Sequence, residues 1–280
     1  MRRIQFFEFH ELAWCPAFVR NGLTDALQFG IRRLHSYAPI VPMLERAIDA
    51  MESRSVVDMC SGGGGPWIDL ARQLEARRAP SQDGGGKTPD LQVLLTDKYP
   101  NLRAFETAKA ASGNRINFYP APVDAMKVPE ELQGLRTMFT SFHHFPPEEA
   151  RAIIQDAVDA GRGIGIFELP RRALSTILLT FGFVLLLFVG TPWIRPFRWS
   201  RLLWTYLIPL VPFALLFDGV VSCLRTYRPE EVREMVGGLS GSEYQWEIGE
   251  ASGGASPITY LVGSPLAASS DSPPSSSGGR

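Results

Sequence analysis

Four consecutive glycines, Gly62–Gly65, stand between two apolar patterns of different period. Before them runs Ser55-Val56-Val57-Asp58, short and β-branched; after them Pro66 opens a helical pattern through Ile68, Leu70, Ala71 and Leu74. A strand, a tight turn and a helix satisfy both sides. Glycine tolerates positive φ and lets backbone approach a ligand closely. Proline suits the first helical turn, where its missing N–H is no loss. A helix N-terminus leaving such a turn attracts anions and polar ligand groups. A flexible linker can also be glycine-rich, but it would lack these flanks.

The same alternation continues. Leu91–Asp97 reads as a second strand ending in an acid, followed by a helix through Ala111. Ile116 to Met126 gives a third strand leading to Asp124, and Leu135–Phe142 a fourth ending at His143-His144. Pro146 to Val158 starts with proline and acids and carries an apolar face, which is a helix signature. Gly163–Leu169 is a fifth strand. Tyr244–Gly249 and Ile258–Gly263, joined at Gly253-Gly254, form a closing hairpin. Strands alternating with helices predict an α/β fold, a doubly wound and mostly parallel sheet. Ligands in such sheets bind beyond the carboxyl ends of the strands. Asp58, Asp97, Asp124, Ser141, His143 and Glu168 all fall at or near that edge.

Two glycine chemistries fail here. The dinucleotide fingerprint GxGxxG, counted from Gly62, would need glycine at Trp67. The second run, Gly84-Gly85-Gly86-Lys87-Thr88, has no strand before it and no helix after it, so a phosphate loop is rejected. Asp58-Met59-Cys60-Ser61-Gly62-Gly63-Gly64 instead resembles the first motif of class I S-adenosylmethionine-dependent methyltransferases, strand–Asp/Glu-x-Gly-x-Gly-x-Gly, with Cys60 in place of the first glycine. Asp97 matches the family's strand-two acid, Asp124 its acid after strand three, and the hairpin its reversed last strand. The resemblance covers roughly residues 44–170 and 218–263. It implies a Rossmann-like, seven-stranded sheet and S-adenosyl-L-methionine as cofactor. It places the cofactor on Asp58, Cys60, Gly62, Gly63 and Gly64, on Asp97 and Lys98, on Asp124 and Ala125, and on Ser141. Asp97 would accept from the ribose hydroxyls and Asp124 from the adenine amino group. The catalytic candidates are His143 and His144, because histidine can take a proton near neutral pH; Glu168 is a weaker one.

The rest of the 280 residues frames this core. Residues 1–43 read as a helical cap rich in aromatics, broken at Pro16, with Trp14, Phe18 and Tyr37 available as walls of an acceptor pocket. From Ala173 to Ile194 no residue is charged and thirteen are Leu, Ile, Val or Phe. Their insertion free energy sums to roughly −4 to −8 kcal/mol, and the run is roughly 33 Å long as a helix, enough to cross a bilayer. Arg195, Arg198 and Arg201 follow among tryptophans, and a second run, Leu202–Phe217, is broken by Pro209 and Pro212. Later strands must rejoin the sheet, so a single crossing is excluded; two crossings would translocate three arginines against the positive-inside tendency. Residues 171–217 are therefore expected to form a hydrophobic hairpin that dips into or lies on a membrane; a buried insertion in a soluble domain is the alternative. Residues 218–263 complete the core, and 264–280 read as a disordered tail.

Three widely spaced cysteines show no metal-binding spacing, no metal is expected, and they read as reduced thiols of a cytoplasmic protein. A net charge of −1 argues against nucleic acid as a partner. The expected activity is methyl transfer to a small lipophilic acceptor reached from the membrane surface. A membrane-attached scaffold that keeps this fold without transfer activity is the other reading, and Cys60 is the feature that favours it. Oligomeric state is not legible.

Overall fold

In the computed structural model of the chain, residues 1–266 are described apart from 13, 52–53, 78–89, 196, 242 and 255. The second glycine run and the tail beyond residue 266 lie outside the described residues. The strands are β1 (Ser55–Met59), β2 (Gln92–Leu95), β3 (Ile116–Phe118), β4 (Leu135–Phe139), β5 (Ile164–Glu168), β6 (Tyr244–Ala251) and β7 (Ile258–Pro265). They form one seven-stranded sheet in the order β3-β2-β1-β4-β5-β7-β6. The first five are parallel, and β7 runs antiparallel between β5 and β6. This is the Rossmann-like, doubly wound sheet with a reversed last strand. The sheet takes up Ser264 and Pro265, two residues expected in the tail.

Alternate residues of a strand face opposite sides of a sheet, and β1 shows why both sides need cover. Val56 packs into one core with Leu44, Trp67 and Phe105, whereas Val57 packs into the other with Ile153 and Val232. The first core is roofed by α2 (Val41–Asp49), α3 (Trp67–Arg77) and α4 (Leu102–Ala111); the second by α5 (Pro147–Asp159) and α9 (Pro229–Gly237).

The remaining helices form a third cluster. Pro16 precedes α1 (Ala17–Arg33), as expected, but the helix expected before it is only a three-residue turn, Phe9–Glu11. The apolar segment folds as α6 (Leu174–Gly190), the short α7 (Trp199–Leu202) continuing into a wider turn through Leu207, and α8 (Leu210–Arg225). Val19, Leu23 and Ala26 of α1 pack with Leu187, Val211 and Leu215 of this insertion. Gly30 permits the approach, since a Cβ there would stand 2.4 Å from the Phe183 ring. Asp25 of α1 pairs with Arg201.

The helix Leu174–Trp193 is long and apolar enough to cross a membrane by length and composition, and only 17% of its most apolar stretch is buried. Trp199–Leu207 and Leu210–Arg225 meet at 72°, at Pro209. α8 does not stop at Phe217, where the apolar run ends, but continues to Arg225. Its last turns are polar and buried, and they carry Asp218 and Arg225 to the carboxyl edge of the sheet.

Candidate functional site

Asp58 ends β1 inside the protein, not in a cleft: it is 1% exposed. One carboxylate oxygen accepts from Ser61 Oγ at 2.7 Å, the other from Thr137 Oγ1 at 2.8 Å. Its backbone carbonyl accepts from Thr96. Asp58 thus fastens the glycine turn to β2 and β4. Burial pushes its carboxyl up to about 6 against those hydrogen bonds.

The turn itself faces outward. Cys60 has φ 55°, the left-handed conformation that glycine adopts freely. The substitution therefore keeps the turn's backbone at a cost of about 1–2 kcal/mol. Burial raises the Cys60 thiol, so it is no thiolate at neutral pH. Gly62, at φ 51°, is exposed, with nothing within 4 Å of where a Cβ would be. Gly63 lies under α1, where a Cβ would stand 2.5 Å from Thr24 Cγ2. Gln28 of the same helix donates to the Gly65 carbonyl at 3.4 Å.

Asp97, just past β2, meets the turn. Its Oδ2 accepts from Gly62 N–H and its Oδ1 from Tyr99 N–H, both at 2.8 Å. Val123 N–H donates to the Asp97 carbonyl, which brings the segment after β3 alongside. There Asp124 accepts from Met126 N–H and pairs with Lys98 at 2.9 Å, holding its carboxyl below the usual range. Ala125 is buried beneath it. The structure thus brings Gly62, Asp97, Lys98 and Asp124 together along the ends of β1, β2 and β3.

The ends of β4 and β5 are closed. Thr140 leaves β4 at φ 45°, an outlier for a β-branched residue. Its hydroxyl is hydrogen-bonded to Tyr37 OH. Tyr37 is 3% exposed and packs edge-on against Phe139, so most of its ring belongs to the core. Glu168 accepts from Ser141 N–H and Phe142 N–H through Oε1 and bonds His143 Nδ1 through Oε2. Ser141 Oγ and His143 Nε2 are buried without a hydrogen-bond partner.

His143 is 1% exposed, and its Nε2 stands 3.6 Å from Glu8 Oε1, a charged pair and not a hydrogen bond. Burial works against its charge, but Glu168 and Glu8 hold it at about 9. His143 is thus held between two buried carboxylates, apart from the open ends of β1, β2 and β3. His144 differs: its ring is 22% exposed, Nδ1 is 2.7 Å from Glu11 Oε1, and burial and the His143 charge push its pKa down.

Sequence reading did not find Glu8, Glu11, Asp218 and Arg225. Arg225 is 2% exposed and pairs with both Glu8 and Glu11. Asp218 accepts from Phe9 N–H and bonds His10. The available signal was charge set inside the aromatic run Phe6-Phe7-Glu8-Phe9-His10-Glu11. Trp14 and Phe18 lie away from the strand ends: Trp14 is 69% exposed, and Phe18 stacks on Trp204 of the insertion at 4.3 Å.

Fold and site together define a Rossmann-like α/β protein with an open polar site at the first turn and a closed charged cluster beside it. The sequence matches no family model and no curated relative. By structure, the chain is similar to magnesium protoporphyrin IX methyltransferase from Synechocystis with bound SAH, at 16% identity, over 85% of this chain and 86% of that one, TM-score 0.46. An O-methyltransferase family protein from Burkholderia thailandensis is similar at 16% identity over 85% and 58%, TM-score 0.45. The S-adenosylmethionine-dependent methyltransferase SibL is similar at 17% identity over 80% and 54%, TM-score 0.46. At these values the functional reading rests on the chain's own residues.

Proposed function

We propose that the chain is an S-adenosylmethionine-dependent methyltransferase acting on a small lipophilic acceptor reached from a membrane surface. The observation that carries this reading is the contact between Gly62 and Asp97. The two features that the resemblance pairs, the glycine turn and the strand-two acid, share one hydrogen bond at the ligand edge. The residues fit the cofactor. Gly62 leaves open space above an exposed backbone, and each Asp97 oxygen, bound to one backbone N–H, keeps a lone pair for a ribose hydroxyl. Hydrogen bonds of this charged kind contribute about 1.5–3 kcal/mol each. Asp124, paired with Lys98, is the residue the resemblance assigns to the adenine amino group.

When bound, S-adenosylmethionine supplies a methyl group on a positively charged sulfur. The chain's own work is then positioning and exclusion of water. α1 serves both sides of that task, resting on Gly63 and Gly65 with one face and on Phe183, Leu187 and Val211 with the other. A base is needed only where the acceptor must lose a proton.

The lipophilic acceptor is supported by the insertion. Leu178, Leu185, Val189 and Leu207 are each more than half exposed. Exposed apolar side chains concentrated in one insertion fit a membrane or partner surface, and Trp193 and Trp199, also exposed, stand on either side of its Arg195 and Arg198 in the sequence. Residues 171–217 are accordingly read as the membrane-associating unit.

The test combines flotation with transfer. The chain should rise with liposomes, and Leu178→Glu with Leu185→Glu should leave it at the bottom. Methyl label from S-adenosylmethionine should pass to vesicle-embedded phenolic or quinol-type acceptors in preference to water-soluble analogues. Equal transfer to both classes, with no flotation, would remove the membrane from the reading.

A further inference from the structure

We propose that Glu8, His10 and His144, with His143 beside them, bind a divalent transition-metal ion of the zinc type. Three imidazole nitrogens face one carboxylate. His10 Nδ1 is 3.5 Å from Glu8 Oε2; His143 Nε2 is 3.6 Å and His144 Nδ1 3.8 Å from Glu8 Oε1. The ligand atoms of Glu8, His10 and His144 all lie within 4.8 Å of one another. A tetrahedral ion with bonds of about 2.0–2.1 Å sets its ligands about 3.3 Å apart, so the edges to Glu8 would contract by a few tenths of an ångström and the edge between His10 and His144, within 4.8 Å, by up to about 1.5 Å. Imidazole with carboxylate is a donor set for zinc, iron and their neighbours, not for magnesium or calcium.

His143 adds an independent sign. Its side chain is buried, its Nδ1 is held by Glu168, and its Nε2 points at Glu8 with no hydrogen-bond partner. A metal-bound histidine characteristically gives its second nitrogen to a carboxylate, which fixes the ring and the tautomer. Asp218, 3.1 Å from His10 Nδ1, and Glu11, 2.7 Å from His144 Nδ1, meet the same nitrogens that face Glu8, so a bound ion would replace these two contacts and leave both carboxylates beside it.

Charge favours the same conclusion. Glu8, Glu11, Asp218 and Glu168 converge on the three histidines, and of the arginines only Arg225 pairs with any of these four carboxylates among the described residues. Buried charge must be compensated. Beyond Arg225, that compensation would otherwise fall to imidazolium rings at centroid spacings of 4.3 Å and 5.1 Å, against their mutual repulsion. One divalent ion would place two positive charges among these carboxylates without that repulsion. Entry is open from the surface, since the His10 side chain is 36% exposed and that of His144 22%. The ligands come from residues 8–10 and 143–144, so no local spacing in the sequence announces them. The site requires neither the methyl donor nor the membrane.

The experiment uses the full chain, stripped with EDTA, desalted, and titrated with Zn²⁺; Co²⁺ serves as the spectroscopic probe. The expected result is about one Zn²⁺ retained per chain, a visible Co²⁺ band of the low-coordinate type, and a Zn²⁺-dependent rise in Tm. His10→Ala, at a partly exposed position, should weaken Zn²⁺ binding at least about tenfold, and Glu8→Gln more. His35→Ala, the one histidine outside the cluster, should bind as the wild type does. Should Glu8→Gln not fold, His10→Ala decides alone. Retention well below one equivalent, or Zn²⁺ binding that His10→Ala leaves unchanged, would overturn the proposal.

Discussion

Along the ends of β1, β2 and β3 the contacts are made by backbone N–H groups and by carboxylates in partial contact with water. Gly62 and Tyr99 donate to Asp97, and Lys98 meets Asp124 with its side chain 55% exposed. Along the ends of β4 and β5 the contacts run between side chains, and they are buried. Glu168, His143, Glu8 and Arg225 are each no more than 4% exposed. A carboxylate on backbone donors beside solvent can add a ligand hydroxyl without leaving a charge bare. A carboxylate inside the closed cluster cannot lose its partner without leaving a buried charge uncompensated. One half of the edge is thus suited to exchange and the other to holding a fixed constellation.

The largest expected effect breaks the closed half. Glu168→Ala removes the acceptor of Ser141 N–H, Phe142 N–H and His143 Nδ1, and should cost about 3–5 kcal/mol in urea denaturation. A loss below about 1 kcal/mol would place both halves in one class.

Next comes the anchor between them. An ordinary aspartate titrates near 3.8, and burial holds Asp58 at about 6. Between those values the folded chain keeps a proton that the unfolded chain has released. Stability contributed by this group is therefore full below about pH 4, falls as pH rises to about 6, and stays lowered above, by about 3 kcal/mol. Asp58→Asn should flatten that fall in denaturation curves taken across the window; an unchanged slope would assign it to another group.

Smaller effects sharpen the open half. Cys60→Gly relieves a left-handed non-glycine residue and should raise stability by about 0.5–1 kcal/mol, with S-adenosylmethionine binding retained. A destabilised variant would mean that the side chain is needed there. Lys98→Ala breaks an exposed pair and should change stability by less than about 1 kcal/mol; a larger loss would show that Asp124 belongs with the buried groups.

The open half was legible because its information is local. A strand, an acid and a glycine turn are contiguous from Val56 to Gly65, and Asp97 and Asp124 each end a strand pattern. The parallel part of the sheet followed from alternation and the β6–β7 hairpin from its glycine turn, whereas the reversed last strand was implied by the resemblance. The closed half was only partly legible, because it is assembled from Glu8, Asp218, Arg225 and the strand-end histidines, more than two hundred residues apart at the extremes. His143 and His144 are neighbours in sequence, but Glu168 and Glu8 raise the first while burial and the His143 charge lower the second, and sequence spacing does not connect these groups. That the Tyr37 ring is buried was not legible, because aromatic composition does not say which way a ring faces. α8 outran its apolar stretch because its last turns are held by buried polar groups, a pattern that hydropathy reads as an exit from the helix.

The central claim is that the Gly62–Asp97 contact marks the methyl-donor site. The direct test is a calorimetric titration of S-adenosylmethionine into the wild-type chain and into Asp97→Ala. The account predicts one site in the wild type and, with loss of about 1.5–3 kcal/mol, roughly ten- to hundredfold weaker binding in the variant, at nearly unchanged unfolding stability. No binding by a folded wild type, or equal affinity in both, would contradict it.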